Sequence, residues 1–234
     1  MMSTGRPAKL LLFDIDGTLI QTGSAGLLGF ARAFRETFGH EDDLSRVDFA
    51  GATDSDIIRQ LFELHGVAFT PGNAARFRDA YFPALAQILP ERQGCVLPGV
   101  QPLLEMLSSR EDVQLALLTG NFAESARLKL RHYGLWNFFP FGAFADDALD
   151  RNKLGPVALR RAREFRMGEQ FDPATDVWII GDTPKDIACA RAFGARALAV
   201  ATGRHRMEQL AADAPDAVLA DLARTDQVMN LLLD

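Results

Sequence analysis

Two aspartates spaced two residues apart, Asp14 and Asp16, stand directly after the apolar run Leu10-Leu11-Leu12-Phe13 and before Gly17-Thr18. A short apolar run bounded by polar and glycine signals reads as a buried strand. Side chains two apart on an extended backbone point the same way, so both carboxylates face one pocket at the strand end. Two like charges there are costly unless a cation, a proton or a set of hydrogen bonds compensates them, and that cost points to chemistry. A carboxylate pair can divide a hydrolysis between a nucleophile and a proton carrier.

Other segments end in a similar way. Apolar runs recur at 113–118, 141–144, 177–180 and 197–200, and segments of helical periodicity lie between most of them at 100–109, 123–133, 156–165 and 186–193. Continuous apolar strands alternating with amphipathic helices predict an α/β fold, a doubly wound parallel sheet covered on both faces. Ligands bind such sheets beyond the carboxyl ends of the strands. The run at 113–118 leads into Thr119-Gly120-Asn121, and that at 177–180 into Gly181-Asp182-Thr183-Pro184-Lys185-Asp186. Gly120 and Asn121 are expected to open the next helix, where free backbone N–H groups suit an anion. Thr183-x-x-Asp186 with Pro184 also reads as a helix start. One long interruption contains no strand signal and reads as helices over 25–38, 55–65 and 73–89, the last with a kink at Pro83. The domain expectation is therefore an α/β core of residues 1–20 and 96–234, with an inserted α-helical segment over 21–95.

The run Asp14-Ile15-Asp16-Gly17-Thr18 resembles the first motif of the haloacid dehalogenase superfamily, whose phosphatases carry Asp-x-Asp-Gly-Thr there. Thr119 resembles the second motif and Gly181-Asp182 the fourth, and the helical insertion resembles the small cap of one subgroup. The resemblance implies that Asp14 attacks phosphorus and Asp16 protonates the leaving alcohol. It also implies that Thr119, with Gly120 and Asn121, binds the phosphoryl group. Mg²⁺ would be held by Asp14, Asp182 and the backbone carbonyl of Asp16, with Asp186 beside or behind it; a hard cation of this kind takes oxygen ligands. The third motif supplies a cation for the phosphoryl oxygens. Only four lysines occur, Lys9, Lys129, Lys153 and Lys185, and Lys153 has the family's position; Arg151 is the alternative. Gly51-Ala52-Thr53-Asp54 is similar to a turn of phosphoglycolate phosphatase-like relatives, which implies a substrate contact by Thr53; the competing reading makes Thr53 a helix N-cap.

Composition narrows the alternatives. The chain has 234 residues, 48% hydrophobic and 24% charged, a formal net charge of −6 and a pI near 5.3. This is the composition of a globular protein and argues against nucleic acid as the main partner. The four apolar residues before Asp14 are too few for a membrane span or signal core, and two distant cysteines make a disulfide framework unexpected, so a cytoplasmic monomer or homodimer is expected. Within the family, Asp16 and Asp182 argue for phosphoryl transfer over dehalogenation. The absence of any lysine from 21 to 96 argues against phosphonate cleavage through a Schiff base. The expected activity is Mg²⁺-dependent hydrolysis of a small phosphorylated metabolite, 2-phosphoglycolate first among them. The alternatives are a sugar phosphomutase and a non-catalytic binding protein of the same fold.

Overall fold

In the computed structural model, residues 9–42, 44–166 and 170–234 are described. The chain runs through β1 (Lys9–Phe13), β2 (Ile20–Gln21), α1 (Ala25–Phe38), α2 (Asp54–Leu64), α3 (Pro71–Ile88), β3 (Cys95–Val96), α4 (Val100–Ser108), β4 (Val113–Leu118), α5 (Ala123–His132) and β5 (Gly142–Ala143). It continues through α6 (Leu154–Phe165), α7 (Pro173–Asp176), β6 (Val177–Gly181), α8 (Pro184–Ala192), β7 (Arg196–Val200), α9 (Met207–Ala212), β8 (Ala217–Leu219) and α10 (Thr225–Leu233).

Six strands form one parallel sheet in the order β5-β4-β1-β6-β7-β8. The period of two along each strand sends alternate side chains to opposite faces. Leu11 and Phe13 of β1, with Val113, Leu115 and Leu117 of β4 and Trp178 and Ile180 of β6, join the core formed with α4, α5 and α10. Leu10 and Leu12, with Ala116, Leu118, Val177 and Ile179, pack against α6, α8 and α9 on the other face. Because both faces are covered, the strands are apolar throughout rather than alternating. This is an α/β, doubly wound architecture. The run at 141–144 contributes only the two-residue β5, and β8, α9 and α10 complete the sheet and its cover beyond the last strand expected from sequence.

Register brings the reactive ends together. Phe13 lies opposite Leu117 of β4 and Ile180 of β6, and the Asp14 N–H donates to the Ile180 carbonyl at 2.9 Å. Asp14, Thr119 and Asp182 therefore emerge side by side beyond three adjacent strands. Connections to the two sides of β1 leave a crevice there.

The helical insertion leaves and re-enters through an antiparallel ribbon of β2 and β3, in which Ile20 pairs with Val96 and Gln21 with Cys95. Its three helices bury Phe30, Phe34, Phe62, Phe77 and Tyr81 in one aromatic cluster, which Phe122 at the start of α5 also joins. The α3 helix continues as one element through Pro83. Among the described residues, no helix is long and apolar enough to cross a membrane.

The insertion is anchored to the sheet by the start of α2. Thr53 is the N-cap of that helix: its hydroxyl oxygen accepts from the Asp56 N–H at 3.1 Å and donates to the Leu149 carbonyl at 2.7 Å. The Asp54 N–H donates to the Gly120 carbonyl at 2.6 Å, and the Ser55 hydroxyl to the Ala145 carbonyl at 2.9 Å. Thr53→Val keeps the shape and removes both bonds of that hydroxyl. It is expected to cost about 1–2 kcal/mol, the upper range for a lost N-cap, read as a lower midpoint in urea unfolding.

Candidate active site

Asp14 is buried, and desolvation raises its pKa to about 6 against the pull of the Arg151 guanidinium. Arg151 is buried as well. Its Nη2 lies 3.3 Å from Asp14 Oδ1 and bonds Asp186 Oδ1, and its Nη1 donates to the Gly51 carbonyl at 3.3 Å. Its Nε, also buried, has no hydrogen-bond partner. The Nη2 edge of the guanidinium thus faces the nucleophile candidate, the place where the oxygens of a tetrahedral anion would be gripped. Lys153, by contrast, is exposed. The expectation that Lys153 faces the site does not hold geometrically. Residues 151–153 form a single 3₁₀ turn capped by the Asp150 carboxylate, and successive side chains of such a turn diverge by about 120°. Arg151 points to Asp14, and Lys153 does not share its direction.

Asp182 and Asp186 complete a cluster with Asp14. Oxygens of the three carboxylates lie within 4.8 Å of one another. Burial, then repulsion from Asp186 and Asp14, pushes the Asp182 carboxyl up to about 8. The Thr18 hydroxyl donates to Asp182 Oδ1 at 3.3 Å. Two glycines make the room for this side chain. A Cβ on Gly203 would fall 1.7 Å from Asp182 Oδ2, and one on Gly17, whose φ is +83°, would fall 2.5 Å away. Asp186 is differently employed. Its Oδ2 accepts from the Thr183 N–H at 3.0 Å and hydroxyl at 2.6 Å, a capping box at the start of α8, while Oδ1 takes Arg151. Three buried carboxylates against one guanidinium form an oxygen donor set suited to a hard divalent cation. Asp14 and Asp182 are the residues free to hold it; Asp186 orients Arg151 and the helix.

Asp16 sits apart from that cluster, its side chain 41% exposed. Its Oδ2 accepts from Lys129 Nζ at 2.6 Å and from Asn121 Nδ2 at 2.9 Å, and Lys129 Nζ also donates to Asn121 Oδ1 at 2.7 Å. Thr119 is fully buried, and its hydroxyl oxygen accepts from the Asn121 backbone at 3.3 Å and side chain at 2.9 Å. A hydrogen bond from Thr119 also favours the ionised form of Asp14. Gly120 and Asn121 lie in the turn that leads into α5, whose start agrees with the helix expected from residue 123. The helix N-terminus does not offer its first N–H groups to an anion, because those of Phe122 and Ala123 donate to the Asp54 and Asp146 carboxylates at 2.8 and 2.7 Å. Gly120 instead admits the insertion, since a Cβ there would meet the Ala52 carbonyl at 2.1 Å.

These groups line one cavity of about 230 Å³ between the sheet and the helical insertion, which includes Asp14, Asp16, Asn121, Lys129, Arg151 and Asp182. Thr53 does not line it, and its hydroxyl is committed to the bonds described above, so the helix-cap reading replaces the substrate contact expected of it. Arg204 and His205 do line it. Sequence reasoning missed Lys129 and Asp54. The signal for Lys129 was present. Ser125, Ala126, Lys129 and Leu130 form the buried stripe of α5, and a lysine on such a stripe is out of place without a partner.

The sequence profile of the haloacid dehalogenase-like hydrolases matches residues 11–200. The chain belongs to this family. A protein of Dickeya dadantii named Probable phosphatase IndB is 30% identical over 228 residues, covering 96% of this chain and 94% of the relative. The phosphoglycolate phosphatase of Rhodospirillum rubrum is 29% identical over 229 residues, covering 92% and 88%. The crystal structure of a hydrolase from Pseudomonas syringae superposes with a TM-score of 0.72 at 19% identity, covering 96% of this chain and 99% of that one. At that identity the last likeness concerns the fold. Asp14 and Asp182, which resemble the family's first and fourth motifs, stand at strand ends and line the cavity.

Proposed function

We propose that this hydrolase is a phosphatase of small phosphomonoesters that works through a phosphorylated Asp14. The observation that carries this reading is the division between the two aspartates of the first strand. Asp14 is buried against Arg151 and beside Asp182, whereas Asp16 turns away from that cluster and keeps one oxygen open to the cavity. Asp14 Oδ attacks phosphorus while the leaving oxygen takes a proton from Asp16. Asp16 then removes a proton from water as the water oxygen attacks the phosphorus, and the Asp14–phosphorus bond breaks to release phosphate. Arg151, through the guanidinium edge beside Asp14, grips the phosphoryl oxygens, and Thr119 fixes the orientation of Asp14. Mg²⁺ held by Asp14 and Asp182, with the carbonyl of Asp16 in reach by family resemblance, would offset the clustered negative charge and polarise the phosphoryl group. The helical insertion serves as a cap over the leaving group. The name of the Rhodospirillum rubrum relative supports 2-phosphoglycolate as the first substrate to test.

Phosphate release from a panel of small phosphomonoesters, with Mg²⁺ and with chelator, tests the reading. Mg²⁺-dependent release with one ester far ahead is the expected result. Transfer of phosphate between hydroxyls of a sugar without net release would make the protein a mutase.

The glycine cradle offers a second check. Gly203→Ala places a methyl group where Asp182 stands. It is expected to lower turnover by about 10²-fold, the cost of an ångström-scale misplacement, and to raise the Mg²⁺ concentration needed for half-maximal rate.

A further inference from the structure

The cavity holds two buried cations, and they serve different carboxylates. Arg151 takes Asp14 and Asp186, where the phosphoryl group belongs. Lys129, its side chain 5% exposed, takes Asp16. Resting on the phosphatase reading, we propose that Lys129 is the specificity-determining residue for the leaving group: its ammonium binds a carboxylate carried one or two atoms from the ester oxygen.

The leaving oxygen exchanges a proton with Asp16, so it stands within hydrogen-bond distance of a carboxyl group that Lys129 touches at 2.6 Å. Substituents one or two atoms beyond that oxygen fall within reach of the ammonium. An ammonium has three N–H donors. Two are directed to Asp16 Oδ2 and Asn121 Oδ1, and the third has no partner among the described residues. Asp54, the other carboxylate on this side, has Oδ2 occupied by the Phe122 N–H and the Ser125 hydroxyl; the Lys129 charge favours its ionised form, but it takes none of the ammonium's hydrogen bonds.

Space is kept for a ligand atom there. Gly26, the second residue of α1, lines the cavity above the ammonium. A Cβ built on it would stand 3.4 Å from Lys129 Nζ and 3.9 Å from the Tyr81 hydroxyl oxygen. The missing methyl group leaves a pocket of about one heavy atom over the charge, bounded by the Tyr81 hydroxyl. Farther along the insertion side the wall is apolar, with Leu27, Phe30, Phe49 and Ile57. That wall suits a short carbon skeleton with a single charged end better than a polyhydroxylated chain. Thr53, the residue that the turn at 51–54 suggested for a carboxylate, lies outside this corner.

The test compares 2-phosphoglycolate with its neutral isostere 2-phosphoglycolamide, and uses 4-nitrophenyl phosphate, whose leaving group needs no proton, as a reference. The wild-type enzyme is expected to favour the carboxylate over the amide by about ten- to hundredfold in kcat/KM, the range of a charge-assisted hydrogen bond. In Lys129→Met that ratio is expected to collapse to within about threefold of unity, because only the charged ester loses a partner. Gly26→Ala replaces a helical glycine by a better helix former and fills the gap, so the folded variant is expected to lose at least about half of the logarithmic preference. Equal rates for carboxylate and amide in the wild type overturn the inference without any variant. So does a ratio that survives Lys129→Met or Gly26→Ala. If the wild type hydrolyses the amide and the nitrophenyl ester but does not prefer the acid, only this inference fails; if it hydrolyses none of the three, the phosphatase reading fails with it.

Discussion

Asp14→Asn is expected to lower phosphate release by at least about four orders of magnitude, as removal of a covalent nucleophile does. The carboxamide occupies the same volume, so the loss is chemical. The fold should survive and gain slightly in stability. Burial raises the Asp14 pKa to about 6, and the neighbouring Asp186 adds repulsion. A neutral side chain at 14 removes one charge from a cluster of three carboxylates that shares a single guanidinium. An unchanged or higher urea midpoint with turnover at background is the expected pair of results. Turnover within tenfold of the parent would remove Asp14 from the nucleophile's role.

Arg151→Met should show the next largest effect, on stability and activity together. The guanidinium is buried between Asp14 and Asp186 and also ties the site to the Gly51 carbonyl of the insertion. Removing one partner of a buried ion pair leaves the other uncompensated, at about 3–5 kcal/mol. Loss of a preorganised donor at the phosphoryl group lowers turnover by about 10²–10³-fold. Lys153→Ala is the control. Its side chain is exposed, so it should cost less than about 0.5 kcal/mol. Urea unfolding and phosphate release on both variants decide the matter. The opposite ranking would return the phosphate-binding role to Lys153.

The strand ends were readable in the sequence because a fully covered parallel strand must be apolar and must stop where polar chemistry begins. Asp14, Thr119 and Asp182 each follow such a stop. Their adjacency was not readable. It depends on β4 and β6 flanking β1, and no local pattern encodes that order. Arg151 and Lys153 differ by two positions in a single 3₁₀ turn, so a small change in its phase decides which cation faces Asp14. Thr53 satisfied two readings, since a hydroxyl before a helix can cap it or meet a ligand. The Leu149 carbonyl that takes the Thr53 hydroxyl is distant in sequence, and only the fold brings it near. The partner of Lys129 was hidden for a related reason. The lysine's position on the apolar stripe of α5 marked it as out of place, but its partner Asp16 is 113 positions away and only the fold brings the two together. At the C-terminus, α9 and α10 rest on short or broken apolar patterns and follow from docking against the sheet.

The most direct test of a phosphorylated Asp14 is chemical trapping. The enzyme is mixed with excess phosphomonoester and Mg²⁺, quenched in acid within one turnover, and reduced with borohydride. Reduction converts an acyl phosphate to the alcohol, so peptide mass spectrometry should find homoserine at position 14. That product should be absent from Asp14→Asn and from enzyme treated without ester. Phosphate release with unmodified aspartate at 14, or trapping at any other carboxylate, would contradict the mechanism.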